Sequence, residues 1–392
     1  MRRSILLSGS MVIILVSLAT AEIWYVKPDG TGDVPTIQAA VDTVAPGDTV
    51  LLASGIYTGT GNYNIVVPAR DLLLASETGD PADCVIDCEG HLGTDRRGLQ
   101  FCSGWWARPV VRGITVRNGN VMGEGGAVEC GGSPTIRSCV FDSNQSGWRG
   151  GAIAFHSSGD PVLRKCQFRS NLTPDCGGAI VIDGVEVDVT IDSCFFCSNQ
   201  ADRGGAICCY QHEASALIRH SVFVGNSAMH YGGAVYVGNM YGYVGHCTFH
   251  ANHAAVGSGV YTCTSPMGYP SGDVRKCIIA YGTGGCGYFQ PSFDPTEHGL
   301  QCTNIYGNEG GDYPDSLATK LGVDGNFSVC PAFCDAAVEP YDLSLCDQSP
   351  CLPGKHPHGY DCGLIGALGE GCICDPTRTE PSTWSAIKAM YR

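Results

Sequence analysis

The chain has 392 residues, 54 of them glycine, about 14% against roughly 7% in ordinary proteins. A hydrophobic content of 44% excludes wholesale disorder, and the absence of a G-X-Y triplet excludes collagen. The formal net charge of −15 excludes nucleic acid or an anionic membrane surface as partner of the whole molecule, because both need a cationic field.

In chain order, residues 1–21 read as a secretory leader. Arg2 and Arg3 supply the positive end, Ile5 to Leu18 the apolar stretch and Ala19-Thr20-Ala21 the small-residue cleavage motif. An uncleaved anchor is the alternative, but Ser8, Gly9 and Ser10 interrupt a stretch already short for a bilayer. No other window is long and apolar enough for a transmembrane segment. The mature chain therefore reads as secreted, extracellular or at the cell surface, with the periplasm as a variant. Twenty-three cysteines predict disulfides, and their odd number leaves at least one thiol unpaired. Cys194-x-x-Cys197 stands alone, so metal is the weaker reading and none is expected.

Pro35 to Val44 reads as a short amphipathic helix, with Thr36 as N-cap and Ile37, Val41 and Val44 on one face. Strands are expected around Thr49–Ala53, Ile65–Val67, Leu72–Ala75, Cys84–Asp87 and Val110–Val116. An internal period then dominates. Gly-Gly-Ala followed by Ile or Val occurs at Gly125–Val128, Gly150–Ile153, Gly177–Ile180, Gly204–Ile207 and Gly232–Val235, with a degenerate copy at Gly257–Val260. Phe-x-x-Asn alternates with it at Phe141/Asn144, Phe168/Asn171, Phe196/Asn199, Phe223/Asn226 and Phe249/Asn252, in steps of 26 to 28 residues. Two interleaved motifs on one period define a solenoid.

After each Gly-Gly-Ala the first and third residues are constrained while the second varies, the alternation of a short strand with one face inward. A second strand runs through Pro134 to Phe141, where Ile136 and Phe141 differ in parity, so a corner is expected near Arg137–Ser138. Short strands and sharp corners on a coil near 27 residues predict an all-β parallel β-helix of roughly nine to eleven coils. Stacked rungs would place the phenylalanines in a core file. The asparagines would form a ladder at a turn where the backbone tolerates the left-handed conformation. Cys139, Cys166, Cys194, Cys247 and Cys277, with Ser221 at the missing rung, form a further column, expected to be buried thiols filling small apolar volumes.

Both ends of such a solenoid need covering. The expected organisation is a leader at 1–21, an N-terminal helical cap at 22–48, the β-helix at 49–320, a Cys-rich disulfide-braced cap at 321–375 and a tail at 376–392. The tail reads as a frayed short helix or, alternatively, a secretion or attachment tag.

The Gly-Gly-Ala-Ile/Val and Phe-x-x-Asn motifs resemble the repeat of polymorphic outer-membrane proteins, within the pectin lyase-like right-handed parallel β-helix superfamily. Pro35-Thr36-Ile37-Gln38-Ala39-Ala40, Pro46 to Val50 and Gly55-Ile56-Tyr57 resemble the opening rung common in that superfamily. The resemblance covers Tyr25 to Asn308 and implies the fold. It implies little about activity, since the same fold carries lyases, hydrolases, esterases, epimerases and adhesins. No segment for a membrane barrel is present, and the polygalacturonase and pectate lyase signatures are absent, so no catalytic residue is carried over.

Alignment by rung exposes two candidate ligand-binding columns. Arg137, Arg164, Arg219 and Arg275, interrupted by Asp192 and Gly245, precede the Cys column by two residues. Ser138, Lys165, Ser193, His220, His246 and Lys276 lie between. Such a stripe suits carboxylates of an anionic polysaccharide, or is a solvated corner in which Asp192 neutralises its neighbours. Tyr236 and Tyr261 share an outward position on adjacent rungs, near Tyr210, Tyr241 and Tyr243, and suit a sugar ring or a cross-strand pair. His246, His250 and His253 are a weak metal candidate, and Ca²⁺ at Asp183, Glu186 and Asp188 lacks a loop motif; no cofactor is expected. The expected function is a secreted or cell-surface binding or adhesion module for carbohydrate, more a binder than an enzyme. The alternatives are a polysaccharide lyase or hydrolase and a structural surface protein. Nothing in the sequence speaks to oligomeric state.

Overall fold

The computed structural model describes residues 21–374, apart from Trp105, 211–213, Asn239, 264–271, 292–298 and 337–340. The expected leader, up to residue 20, and the tail at 376–392 lie outside the described residues. The chain winds as a three-sided parallel solenoid. Sheet A has eleven strands, from Ile23–Val26 through Thr135–Arg137 and Ser215–Arg219 to Leu300–Gln301. Sheet B has ten, from Gly55–Tyr57 through Val140–Asp142 to Asn304–Tyr306, and sheet C nine, from Ile65–Val67 through Val128–Cys130 to Tyr288–Phe289.

Each corner carries a residue in the left-handed region. Between A and B it is Ser138, Lys165, Ser193, His220, His246 and Lys276, all at φ between 50° and 57°, which is the bend expected at Arg137–Ser138. Entry into sheet C uses the first glycine of each Gly-Gly-Ala, for example Gly177 at φ 73°. At the exit from sheet B the left-handed residue is Ser143, Ser170, Ser198, Gly225 or Ala251. This corrects the sequence reading: the strained backbone falls one residue before each asparagine. The side-chain ladder itself forms as expected, each amide bonding the next rung: Asn171 Nδ2 donates to Asn199 Oδ1 at 2.9 Å and Asn199 Nδ2 to Asn226 Oδ1 at 2.9 Å.

The second glycine of the motif answers a different constraint. A Cβ on Gly178 would lie 2.1 Å from the carbonyl oxygen of Gly205, and one on Gly205 would lie 2.1 Å from that of Gly233. Coils pass too closely there for any side chain.

Inside, Phe141, Phe168, Phe196, Phe223 and Phe249 stack with centroids 5.0, 4.8, 4.7 and 4.7 Å apart. The five cysteines of the Cys column are buried thiols, as expected. Their sulfurs meet backbone carbonyls, Cys166 Sγ lying 3.5 Å from Ile136 O. Burial raises the Cys139 thiol far above the ordinary range, so the column is chemically inert.

The helix Ile37–Thr43 forms with Thr36 as N-cap, its hydroxyl accepting from Ala39 N, and it buries Ile37, Ala40 and Val41 in the main core. At the other end a small sheet of Phe333–Asp335, Asp342–Cys346 and Glu370–Cys372 is braced by Cys334–Cys372 and Cys346–Cys374, while Cys302–Cys362 ties this region to the last coil. This segment folds back along sheet B, packing Phe333, Leu343, Leu345, Leu352 and Ile365 on Val222, Val224, Ile278 and Ala280. A fourth disulfide, Cys176–Cys208, lies within the solenoid.

Candidate functional site

From Val110–Arg112 onward, the strands of sheet A carry a column of residues at the A–B corner. Cα register places Arg112, Arg137, Arg164, Asp192, Arg219, Gly245, Arg275 and Gln301 in one column. The four predicted arginines are thus brought together. Arg112 was missed because its rung carries Ile114 at the Cys position, so an alignment anchored on cysteine skips it.

Asp192 is the electrostatic centre of the column's middle. It accepts from Arg219 at 3.3 Å and pairs with His220 Nδ1 at 3.2 Å, and it forms an ion pair with Arg164 at 3.3 Å. Burial works to raise its carboxyl, but the bonds from His220 and Ser193 and the charge of Arg219 outweigh it and hold the group below the usual carboxylate range. Arg275 pairs with Asp273 of its own strand at 2.6 Å. Arg112 and Arg137 have no ion pair among the described residues. The imidazoles of His220 and His246 stack 5.2 Å apart along the corner.

The outer face of sheet C forms a second surface. Tyr236, Tyr261 and Phe289 are in register, with centroids 5.3 and 5.7 Å apart and planes within 5° and 18°. Each ring therefore covers the face of the next, and the Tyr236 hydroxyl meets Cys263 Sγ at 3.6 Å. Tyr236 is buried, and Tyr231 leans over Tyr261 at 4.9 Å. Tyr241 and Tyr243 lie in sheet A, a correction to their expected place near Tyr236: the chain turns a corner after Val235–Gly238 and carries them to another face.

The middle positions of sheet C, Ala154, Val181 and Cys208, are buried although they point outward. Near them Arg149 pairs with Asp175 at 2.9 Å and with Asp183, and Arg203 with Asp175 at 2.6 Å. Arg149 packs over Trp148 at 4.5 Å and over Tyr210 at 5.4 Å. Beside this network, burial followed by the charge of Asp183 raises the Glu124 carboxyl, with Arg149 and His156 opposing.

The histidines weighed for metal diverge. His246 stacks on His220, His250 meets the Ala336 carbonyl at 3.2 Å, and His253 meets Thr283 at 2.6 Å. Asp183 is taken by Arg149, and Asp188 accepts from Ser215. Among the described residues, one metal-sized group of donors occurs, Cys346, Asp347 and Cys374, and its two sulfurs form a disulfide. No described helix is long and apolar enough to cross a membrane.

With this geometry the chain is a right-handed parallel β-helix. Residues 107–254 match the family described as right handed beta helix region. Among solved structures, pectate lyase Pel9A is similar at 13% identity, over 91% of this chain and 98% of that one, with a TM-score of 0.49. The PL6 family alginate lyase AlyGC is similar at 11% identity, over 80% of this chain and 54% of that one, with a TM-score of 0.33. A mannuronic acid specific polysaccharide family 6 lyase from human gut microbiota gives 12% identity, 79% and 91% coverage and a TM-score of 0.31. No curated protein matches the chain.

Proposed function

We propose that the protein is an extracellular β-helix that binds an acidic polysaccharide along the A–B corner. The observation that carries this is the in-register run Arg112, Arg137, Arg164 on three successive coils. Like charges on neighbouring strands, about 4.8 Å apart, disfavour the sheet, and no carboxylate of the described chain pairs with the first two. A polyuronate lying parallel to the solenoid axis would meet successive guanidinium groups, each able to hold a carboxylate bidentately. Arg219 and Arg275 extend the column, while on the other face half-buried Tyr261, stacked on buried Tyr236, offers its edge.

Affinity electrophoresis or calorimetry with polygalacturonate and alginate, at low and high salt, tests the proposal. The double variant Arg137→Ala/Arg164→Ala should lose at least about tenfold in affinity, and added salt should weaken the wild type. Equal binding by both proteins would overturn it. A second reading, polysaccharide cleavage on sheet C, is favoured by the raised carboxyl of Glu124 beside Arg149 and two aspartates. It requires release of reducing or unsaturated ends that Glu124→Gln abolishes. Neither binding nor cleavage would leave a structural surface role.

A further inference from the structure

On the outer face of sheet C, four coils before Tyr236, side chains from neighbouring coils align in the order of a nucleophile, a base and an orienting acid. Glu129 is the outward middle residue of Val128–Cys130, and the next coil's strand, Ile153–Phe155, leads directly into His156 and Ser157. Ser157 Oγ lies 3.2 Å from His156 Nδ1, and His156 Nε2 lies 3.2 Å from Glu129 Oε1. The second oxygen of Glu129 pairs with Arg97. A carboxylate on Nε2 favours the proton there, which leaves the Nδ1 lone pair to accept from Ser157.

The surroundings keep the serine reachable. Ser103, two coils away, donates to Ser157 Oγ at 3.2 Å. It reaches because the intervening coil carries Gly131, whose Cβ would lie 2.6 Å from Ser103 Oγ. On the following coil Gly184 occupies the flank, where a Cβ would come within 2.9 Å of Ser157 N. Ser157 is half-buried. The peptide N–H groups of Ser157 and Ser158 meet no acceptor among the described residues, which leaves them available to a developing oxyanion.

The geometry points to a serine-type centre, Ser157 and His156 with Glu129 as positioning residue, that hydrolyses esters of small acyl groups such as acetate. Ser157 Oγ attacks the ester carbonyl carbon while its proton passes to His156 Nδ1. The carbon–alkoxy bond then breaks, and the alcohol leaves with that proton. Water, deprotonated by His156, attacks the acyl-serine, releases the carboxylic acid and restores the Ser157 hydroxyl. Gly131 and Gly184 bring backbone close on both flanks of Ser157, which favours a small acyl group such as acetyl. This activity is independent of the corner column and of polyuronate binding.

Hydrolysis of p-nitrophenyl acetate by the full chain tests it. Ser157→Ala and His156→Asn should each lower the rate about 10³-fold or to background, with thermal unfolding and polyuronate binding unchanged. Glu129→Gln should lower kcat with little change in KM, and Glu129→Asp should restore part of the rate. A fluorophosphonate should label Ser157 in the wild type, located by mass spectrometry, and label His156→Asn poorly. Wild-type hydrolysis no faster than buffer, or a Ser157→Ala rate equal to wild type, would overturn the assignment.

Discussion

Asn199 Oδ1 accepts twice from Asn171, from the side-chain amide at 2.9 Å and from the peptide N–H at 3.1 Å, while Asn199 Nδ2 also donates to the Phe168 carbonyl at 3.0 Å. With Nδ2 also donating to Asn226 Oδ1 at 2.9 Å, one buried amide serves the rungs on either side of it. Asn199→Ala strands the Asn171 N–H and the Phe168 carbonyl in the core. Unfilled buried groups cost about 1–3 kcal/mol each, so a loss of about 2–4 kcal/mol in denaturant unfolding is expected. A loss below about 1 kcal/mol would mean that the ladder is ornamental.

A glycine inside the repeat and one outside it should differ sharply in what they tolerate. Gly178→Ala places a methyl 2.1 Å from the Gly205 carbonyl oxygen, where backbone must move. Gly123→Ala meets nothing within 4 Å. The first should destabilise by about 3 kcal/mol or prevent soluble expression, and the second should stay within about 0.5 kcal/mol of wild type. Paired melting curves decide it.

Thiol reactivity should follow burial. In the native protein, iodoacetamide should modify exposed Cys102 and half-buried Cys263, while Cys139, Cys166, Cys194, Cys247 and Cys277 stay unmodified until the chain unfolds. Peptide mapping after alkylation reads this directly. Native labelling of the column would show that the solenoid opens.

The folded-back C-terminal segment should loosen in acid. His250 is enclosed by Tyr281, Phe333 and Tyr341, and burial pushes its imidazole down to about 4, against a smaller upward pull from the Ala336 carbonyl. The unfolded chain titrates near 6.5, so the folded state binds fewer protons below that pH. The resulting stability is complete above about pH 6.5 and is lost as pH falls toward 4, about 3 kcal/mol in all. Unfolding measured from pH 7 to 4 should show this slope, and His250→Phe should remove it.

Much of the scaffold was legible because one coil equals one sequence period. Phe168 and Phe196 touch for the same reason that they stand 28 residues apart, and the bend at Ser138 showed in the parity change between Ile136 and Phe141. Irregular features escaped that logic. The left-handed residue beside each asparagine had no fixed identity, being Ser143 on one rung and Ala251 on another. Arg112 hid behind a rung without cysteine.

Periodicity alone was enough to establish the solenoid, its inward files and the existence of an arginine column, because repeated spacing forces repeated contact. Tertiary packing decided what those columns can do. It set Asp192 against Arg164 and Arg219, turned the faces of Tyr236 and Tyr261 onto their neighbours, and folded the Cys-rich segment along sheet B. It also brought Ser157 and His156 up to Glu129. Those contacts arise from loops and side-chain directions that differ from coil to coil, so no repeat in the chain announces them.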